Sequence, residues 1–132
     1  MAAQSITLSG LPAGFTLTGR PNQMVGQMEA VTMTVTTNSP TGYAVTVRGL
    51  TPQLDGANPQ NPYTIPIENL RVRESGTSVF RELSDVTPVV VHRQSGPSAP
   101  GGDAIGNDYE VSIPAVVADQ YSATLEYVAI TE

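Results

Sequence analysis

At 132 residues the chain has the size of one ordinary domain, and its 39% hydrophobic residues suffice for a single core. Charged residues make up only 14%, below the roughly 25% of an average soluble protein, and Thr, Ser, Asn and Gln take their place. A net charge of −6, with six basic residues that are all arginine and form no run, excludes a nucleic-acid binder, because phosphate backbones require clustered Lys and Arg.

The chain opens on Met1-Ala2-Ala3-Gln4, which reads as a start residue set just behind a small-residue cleavage site, so a trimmed export signal is expected. Ile6 and Leu8 then alternate with Ser5, Thr7 and Ser9, and Phe15 and Leu17 with Thr16 and Thr18, as in short half-buried strands. Between them Gly10-Leu11-Pro12-Ala13-Gly14 forms a turn-prone hinge. In Val31-Thr32-Met33-Thr34-Val35-Thr36 the apolar side chains fall on odd positions, which puts them on one face of a pleated strand. Tyr43-Ala44-Val45-Thr46-Val47-Arg48 repeats the pattern. The cluster Asn38-Ser39-Pro40-Thr41-Gly42 between them is rich in turn formers, so the two segments are expected to pair as a hairpin.

Thr51 to Pro62 is rich in Pro, Gly and Asn and reads as a long loop. Ile65 and Ile67 share one parity and Leu70 and Val72 the other, a switch at Asn69 that predicts a bulge. Val86 to His92 reads as a strand whose Pro88 confines its start to a sheet edge or bulge. A second long loop follows over Ser95 to Asn107. Tyr109, Val111 and Ile113 then alternate with Glu110 and Ser112 until Pro114 stops the strand. Tyr121, Ala123, Leu125, Tyr127 and Ala129 alternate with Ser122, Thr124 and Glu126, and are expected to close a second hairpin. Val128 and Ile130 interrupt the polar face, which predicts cover on both sides there. Helical periodicity and internal repeats are absent. About eight strands read as one all-β domain over residues 1–132, an Ig-like antiparallel β-sandwich with two long loops.

Residues able to carry chemistry are sparse. Cysteine is absent, so neither a disulfide framework nor a thiolate metal site exists. No run approaches the roughly 18 apolar residues of a membrane span, and Asn38-Ser39-Pro40 is not a glycosylation sequon. His92 is the single histidine and reads as an exposed strand residue between Val91 and Arg93. A Ser-His-Asp triad would need it as base, and no Gly-x-Ser-x-Gly elbow accompanies it. Asp108 and Glu110 could pair as glycosidase carboxylates, but they lie opposite the Tyr109-Val111-Ile113 row and read as a solvated face. Asp55, Asn58 and Asn61 in one loop and Asp103, Asn107 and Asp108 in the other offer oxygens to calcium. Lacking a defined spacing, they read as turn-forming Asx residues, so neither a metal nor a cofactor is expected. Tyr43, Tyr109, Tyr121 and Tyr127 share parity with core positions, which leaves Tyr63, between Pro62 and Thr64, as the candidate exposed platform for a ligand. Without a lysine the chain cannot by itself form a Lys–Asn or Lys–Asp isopeptide bond.

Two stretches resemble a known group. Val35-Thr36-Thr37-Asn38 followed by Gly42-Tyr43-Ala44-Val45-Thr46-Val47 is similar to the Asn-x-x-x-Gly-Tyr hairpin of secreted Gram-positive, especially actinobacterial, cell-surface β-sandwich domains. Tyr109-Glu110-Val111-Ser112-Ile113-Pro114 with Tyr121-Ser122-Ala123-Thr124-Leu125-Glu126-Tyr127 resembles their closing hairpin, distantly including WxL-like and pilin-like domains, although this chain has no Trp-x-Leu. The resemblance implies an extracellular, cell-surface, Ig-like sandwich with no cofactor.

On this reading the chain is a secreted or cell-surface structural or adhesive module, not an enzyme, with no nucleic-acid partner and no membrane insertion. Self-assembly into a homo-oligomer by strand pairing is expected to use Ile6 and Leu8 of a donated terminal strand. The other placement for that segment is the first strand of its own sheet. The alternative function is a ligand-binding module that recognises glycan or peptide through its long loops, with Tyr63 as the contact.

Overall fold

A computed structural model describes residues 5–132; the Met1–Gln4 stretch read as a cleavage-site remnant lies outside the described residues. In chain order the strands are β1 (Ile6–Ser9), β2 (Met24–Thr37), β3 (Tyr43–Gly49), β4 (Gln53–Gly56), β5 (Thr64–Pro66), β6 (Leu70–Glu74), β7 (Arg81–Glu82), β8 (Val89–Gln94), β9 (Asp103–Ser112), β10 (Tyr121–Ser122) and β11 (Leu125–Thr131). Eight of them are four residues or longer, in line with the alternation, and the three shortest have two or three residues. They form a five-stranded sheet in the order β1-β2-β9-β6-β7, a three-stranded sheet β11-β3-β8, and a small sheet β10-β4-β5. Every pairing is antiparallel. Among the described residues no helix is long and apolar enough to cross a membrane.

The alternating rows meet between the two larger sheets. Val31, Met33 and Val35 of β2 and Ile105, Tyr109 and Val111 of β9 face Tyr43, Val45 and Val47 of β3, and all nine are buried. Each such side chain contributes about 1.5–3 kcal/mol by leaving water. The expected hairpins are the principal correction. β2 pairs with β1 and β9, whereas β3 pairs with β11 and β8, so residues 38–42 carry the chain from one sheet across to the other. The turn itself is as expected: the Gly42 amide donates to the Ser39 carbonyl at 3.2 Å, with Pro40 at the second position of the turn. The C-terminal pair is the same case, since β9 belongs to the large sheet and β11 to the smaller one. Period-2 alternation specifies the face a side chain takes, and two rows can share a core equally well from one sheet or from opposed sheets.

Other segments differ for local reasons. The parity switch at Asn69 is a 3-10 turn, Ile67–Asn69, that hands the chain from the small sheet to β6. The row from Tyr121 to Ala129 is broken at Ala123-Thr124, so β10 joins β4 and β11 joins β3. Val128 and Ile130 are exposed rather than covered, at 39% and 49%. Phe15 and Leu17 lie in irregular chain, and Phe15 packs its ring 4.7 Å from that of Tyr109. Both loops are shorter than read: β4 runs through the first, and β9 begins at Asp103 inside the second. β8 starts just after Pro88 and carries a bulge at its junction with β3.

Candidate functional site

The longest strand holds the most unusual backbone. In β2 the register with β9 slips between Gln27 and Val31, so Met28, Glu29 and Ala30 stand opposite Asp108 alone. Glu29 adopts φ of 50°, a left-handed conformation that costs a non-glycine residue about 1–2 kcal/mol. Asp108 compensates that strain. Its Oδ1 accepts the Glu29 amide at 2.8 Å and the Ser75 hydroxyl at 2.7 Å, and its Oδ2 accepts Arg73 Nε at 2.8 Å. Burial alone would raise this carboxyl, but Ser75, the Glu29 amide and Arg73 together hold it below the ordinary carboxylate range. Asp108 is therefore a buried anchor, 1% exposed, and not a member of the solvated face expected for it with Glu110. Glu110 does lie on the outer side, paired with Arg71 at 3.0 Å.

Polar side chains also bridge the two sheets. The Tyr43 hydroxyl of β3 donates to Asp103 Oδ2 of β9 at 2.7 Å, and Asp103 Oδ1 accepts the Ala99 amide at 3.1 Å. The Tyr43 donation above all lowers the Asp103 carboxyl, while burial and then Asp103 push the Tyr43 hydroxyl up. The Tyr127 hydroxyl of β11 donates to Asn107 Oδ1 at 2.7 Å and so accepts the Tyr109 hydroxyl at 2.6 Å. Burial drives both of these phenols well above their usual range. His92 of β8 sets Nδ1 2.8 Å from Glu74 Oε2 of β6 and Nε2 2.8 Å from Gln94 Oε1. Its ring lies 5.3 Å from Tyr43, so the histidine is mostly covered, which corrects its reading as an exposed strand residue. With both nitrogens engaged, neither is directed at a serine.

The two groups of calcium candidates are occupied in the same manner. Asp103, Asn107 and Asp108 sit within β9 and hold the partners just described, not one another. The first loop is braced by Asp119, from the segment between β9 and β10. Asp119 Oδ2 accepts the Asn58 amide at 3.0 Å and Asn61 Nδ2 at 2.9 Å, and Asn61 also donates to the Tyr121 hydroxyl at 3.0 Å. Those bonds, the Asn61 donation first, lower the Asp119 carboxyl. Among the described residues no group of three or more His, Cys, Asp and Glu side chains is placed to hold a metal ion. Tyr63 stands on this braced loop, 45% exposed, with its amide donating to Asn61 Oδ1 at 2.9 Å.

Two shallow grooves flank Arg73. One of about 290 Å³ runs between β6 and β8 beside residues 77–81, and one of about 250 Å³ lies beside Met28 and Phe80. The Arg73 guanidinium sits 4.4 Å over the Phe80 ring, a cation–π contact between them.

Ile6 and Leu8 lie in β1, which pairs with the chain's own β2 from Ile6 opposite Thr37 to Ser9 opposite Thr34. Both pack against the core. β1 and β11 therefore border the same side of the sandwich, one ending each large sheet. β11 is an edge strand, a position that the expected hairpin with β9 conceals in the sequence. The signal was the pair of apolar residues, Val128 and Ile130, on what should have been a polar face.

No protein-family model matches the chain, and no curated protein is significantly similar to it.

Proposed function

We propose that the chain is a structural or adhesive module that works outside the cell, catalyses no reaction, and joins other copies through its sheet edges. The observation that carries this reading is β11, a seven-residue edge strand whose only hydrogen-bonded neighbour among the described residues is β3. Unpaired edge amides and carbonyls are a template for another strand. The extracellular setting is supported by the cysteine-free composition, by the abundance of Thr and Ser, and by the likeness of its strand segments to Gram-positive surface domains. The absence of catalysis is supported by where the ionisable groups go: Asp103, Asp108 and His92 are all engaged in joining elements of the fold.

Light scattering on the untagged protein over a range of concentrations tests the reading. A mass rising above the 13.9 kDa monomer is expected. A strict monomer at the highest soluble concentration would overturn self-association. Tyr63 supports a second reading as a glycan or peptide binder, because an exposed ring on a braced loop loses little entropy on stacking. Glycan-array or peptide signal that disappears in Tyr63→Ala would favour it.

A further inference from the structure

The edges of the three sheets are not equivalent. β5, β7 and β10 have two or three residues and β1 has four, while β8 follows Pro88 and is bulged against β3. Short strands, prolines and bulges are the usual ways of blunting an edge. β11 has none of them: it contains no proline, and its register with β3 runs unbroken from Leu125 opposite Gly49 to Thr131 opposite Tyr43.

The flanking hydrogen bonds establish which amides of β11 point away from β3. The Leu50 amide donates to the Thr124 carbonyl at 2.9 Å, and the Glu132 amide donates to the Gly42 carbonyl at 2.9 Å. Thr124 with Leu50 and Glu132 with Gly42 are thus hydrogen-bonded pairs, and in an antiparallel ladder such pairs recur at every second residue. Glu126, Val128 and Ile130 therefore direct N–H and C=O toward β3, while Leu125, Tyr127, Ala129 and Thr131 direct theirs outward. The outward groups match an extended backbone whose own groups alternate with the same period.

We infer that the partner is a second copy of this chain, with β11 paired antiparallel to its symmetry mate about a two-fold axis at Ala129. This rests on the reading of the protein as a self-associating module and names the surface and register. With Ala129 opposite its mate, Tyr127 lies opposite Thr131 and all outward groups in this stretch are matched. Val128 of each copy then lies beside Ile130 of the other, so the two exposed apolar residues of the strand form cross-strand pairs. An axis at Val128 or at Tyr127 sets Glu126 against an apolar side chain instead. In the Ala129 register Glu126 meets Glu132, but each carboxylate is already paired within its own chain, Glu126 with Arg48 at 3.0 Å and Glu132 with Arg93 at 2.8 Å. Such pairing would join the two β11-β3-β8 sheets into one of six strands.

Because the protein has no cysteine, disulfide trapping reports the register directly. Val128→Cys and Ile130→Cys chains are mixed and oxidised, and each is oxidised alone. The mixture is expected to give a cross-linked species of twice 13.9 kDa at least tenfold faster than either chain alone. Ala129→Pro removes one outward N–H without touching a bond to β3, so it is expected to shift the mass from dimer to monomer with unchanged circular dichroism. A wild type that associates while Ala129→Pro associates equally, or while Val128→Cys alone cross-links as fast as the mixture, overturns this register and leaves the broader reading standing. A wild type that is monomeric throughout overturns both. Should Ala129→Pro fail to fold, the two surface cysteine variants decide the matter.

Discussion

Replacing Asp108 by alanine removes three hydrogen bonds from one point in the fold. The carboxylate is 1% exposed, so the Glu29 amide, the Ser75 hydroxyl and the Arg73 guanidinium all lose a desolvated acceptor. Breaking a buried pair in this way typically costs about 3–5 kcal/mol. Arg73 keeps 24% of its side chain in solvent and its stack on Phe80, so it can rehydrate in part, which sets the expected loss near the lower end, about 3 kcal/mol. At a urea slope of about 2 kcal/mol/M, the midpoint would fall by roughly 1.5 M. Asp108→Asn retains an acceptor for Glu29 and should lose about half as much, since the remaining bonds are no longer charge-assisted. Glu29→Gly should be neutral or stabilising by up to about 1 kcal/mol, because glycine takes the positive φ without penalty. The pH dependence follows in sign. The folded Asp108 carboxyl lies below its unfolded value of about 3.9, so its contribution is complete above that pH and is lost as pH falls through the folded value. Acid denaturation of the wild type should accordingly steepen below about pH 4, and Asp108→Asn should flatten that slope. An Asp108→Ala loss under about 1 kcal/mol, the level of a surface ion pair, would refute this account of the bulge.

Three further outcomes are expected. Tyr127→Phe leaves the Tyr109 hydroxyl and Asn107 Oδ1 without their shared partner and should cost about 1–3 kcal/mol in chemical denaturation. Gly42→Ala should lower stability by more than about 1 kcal/mol in a thermal melt, because φ is 94° and the new methyl would meet the Gln94 carbonyl oxygen. Hydrogen exchange in dilute protein should be slowest at Val31, Met33 and Val35 and at Val45 and Val47, whose strands are paired on both sides. Along β11 it should be fast at Tyr127, Ala129 and Thr131 relative to Val128 and Ile130; equal rates there would contradict the edge assignment.

Much of the architecture is legible in the residues alone. Alternation places Val31, Met33, Val35, Tyr43, Val45, Val47, Tyr109 and Val111 in the core, and all of them are buried. It is joined by the Ser39–Gly42 turn, because proline and glycine have narrow or unusual backbone preferences that act within four residues. Such properties are local: a side chain's face and a turn's shape depend on near neighbours alone. Strand partnership is not local. β2 and β3 are adjacent in sequence, yet each finds both its partners elsewhere, and only the assembled sandwich determines that β9 lies beside β2 and β11 beside β3. The polar links follow from that assembly. Asp108 reads as a surface carboxylate until the β2 bulge closes over it, and His92 reads as exposed until β6 brings Glu74 to 2.8 Å. The edge position of β11 in its sheet has the same origin, since an edge exists only once the other strands have taken their places.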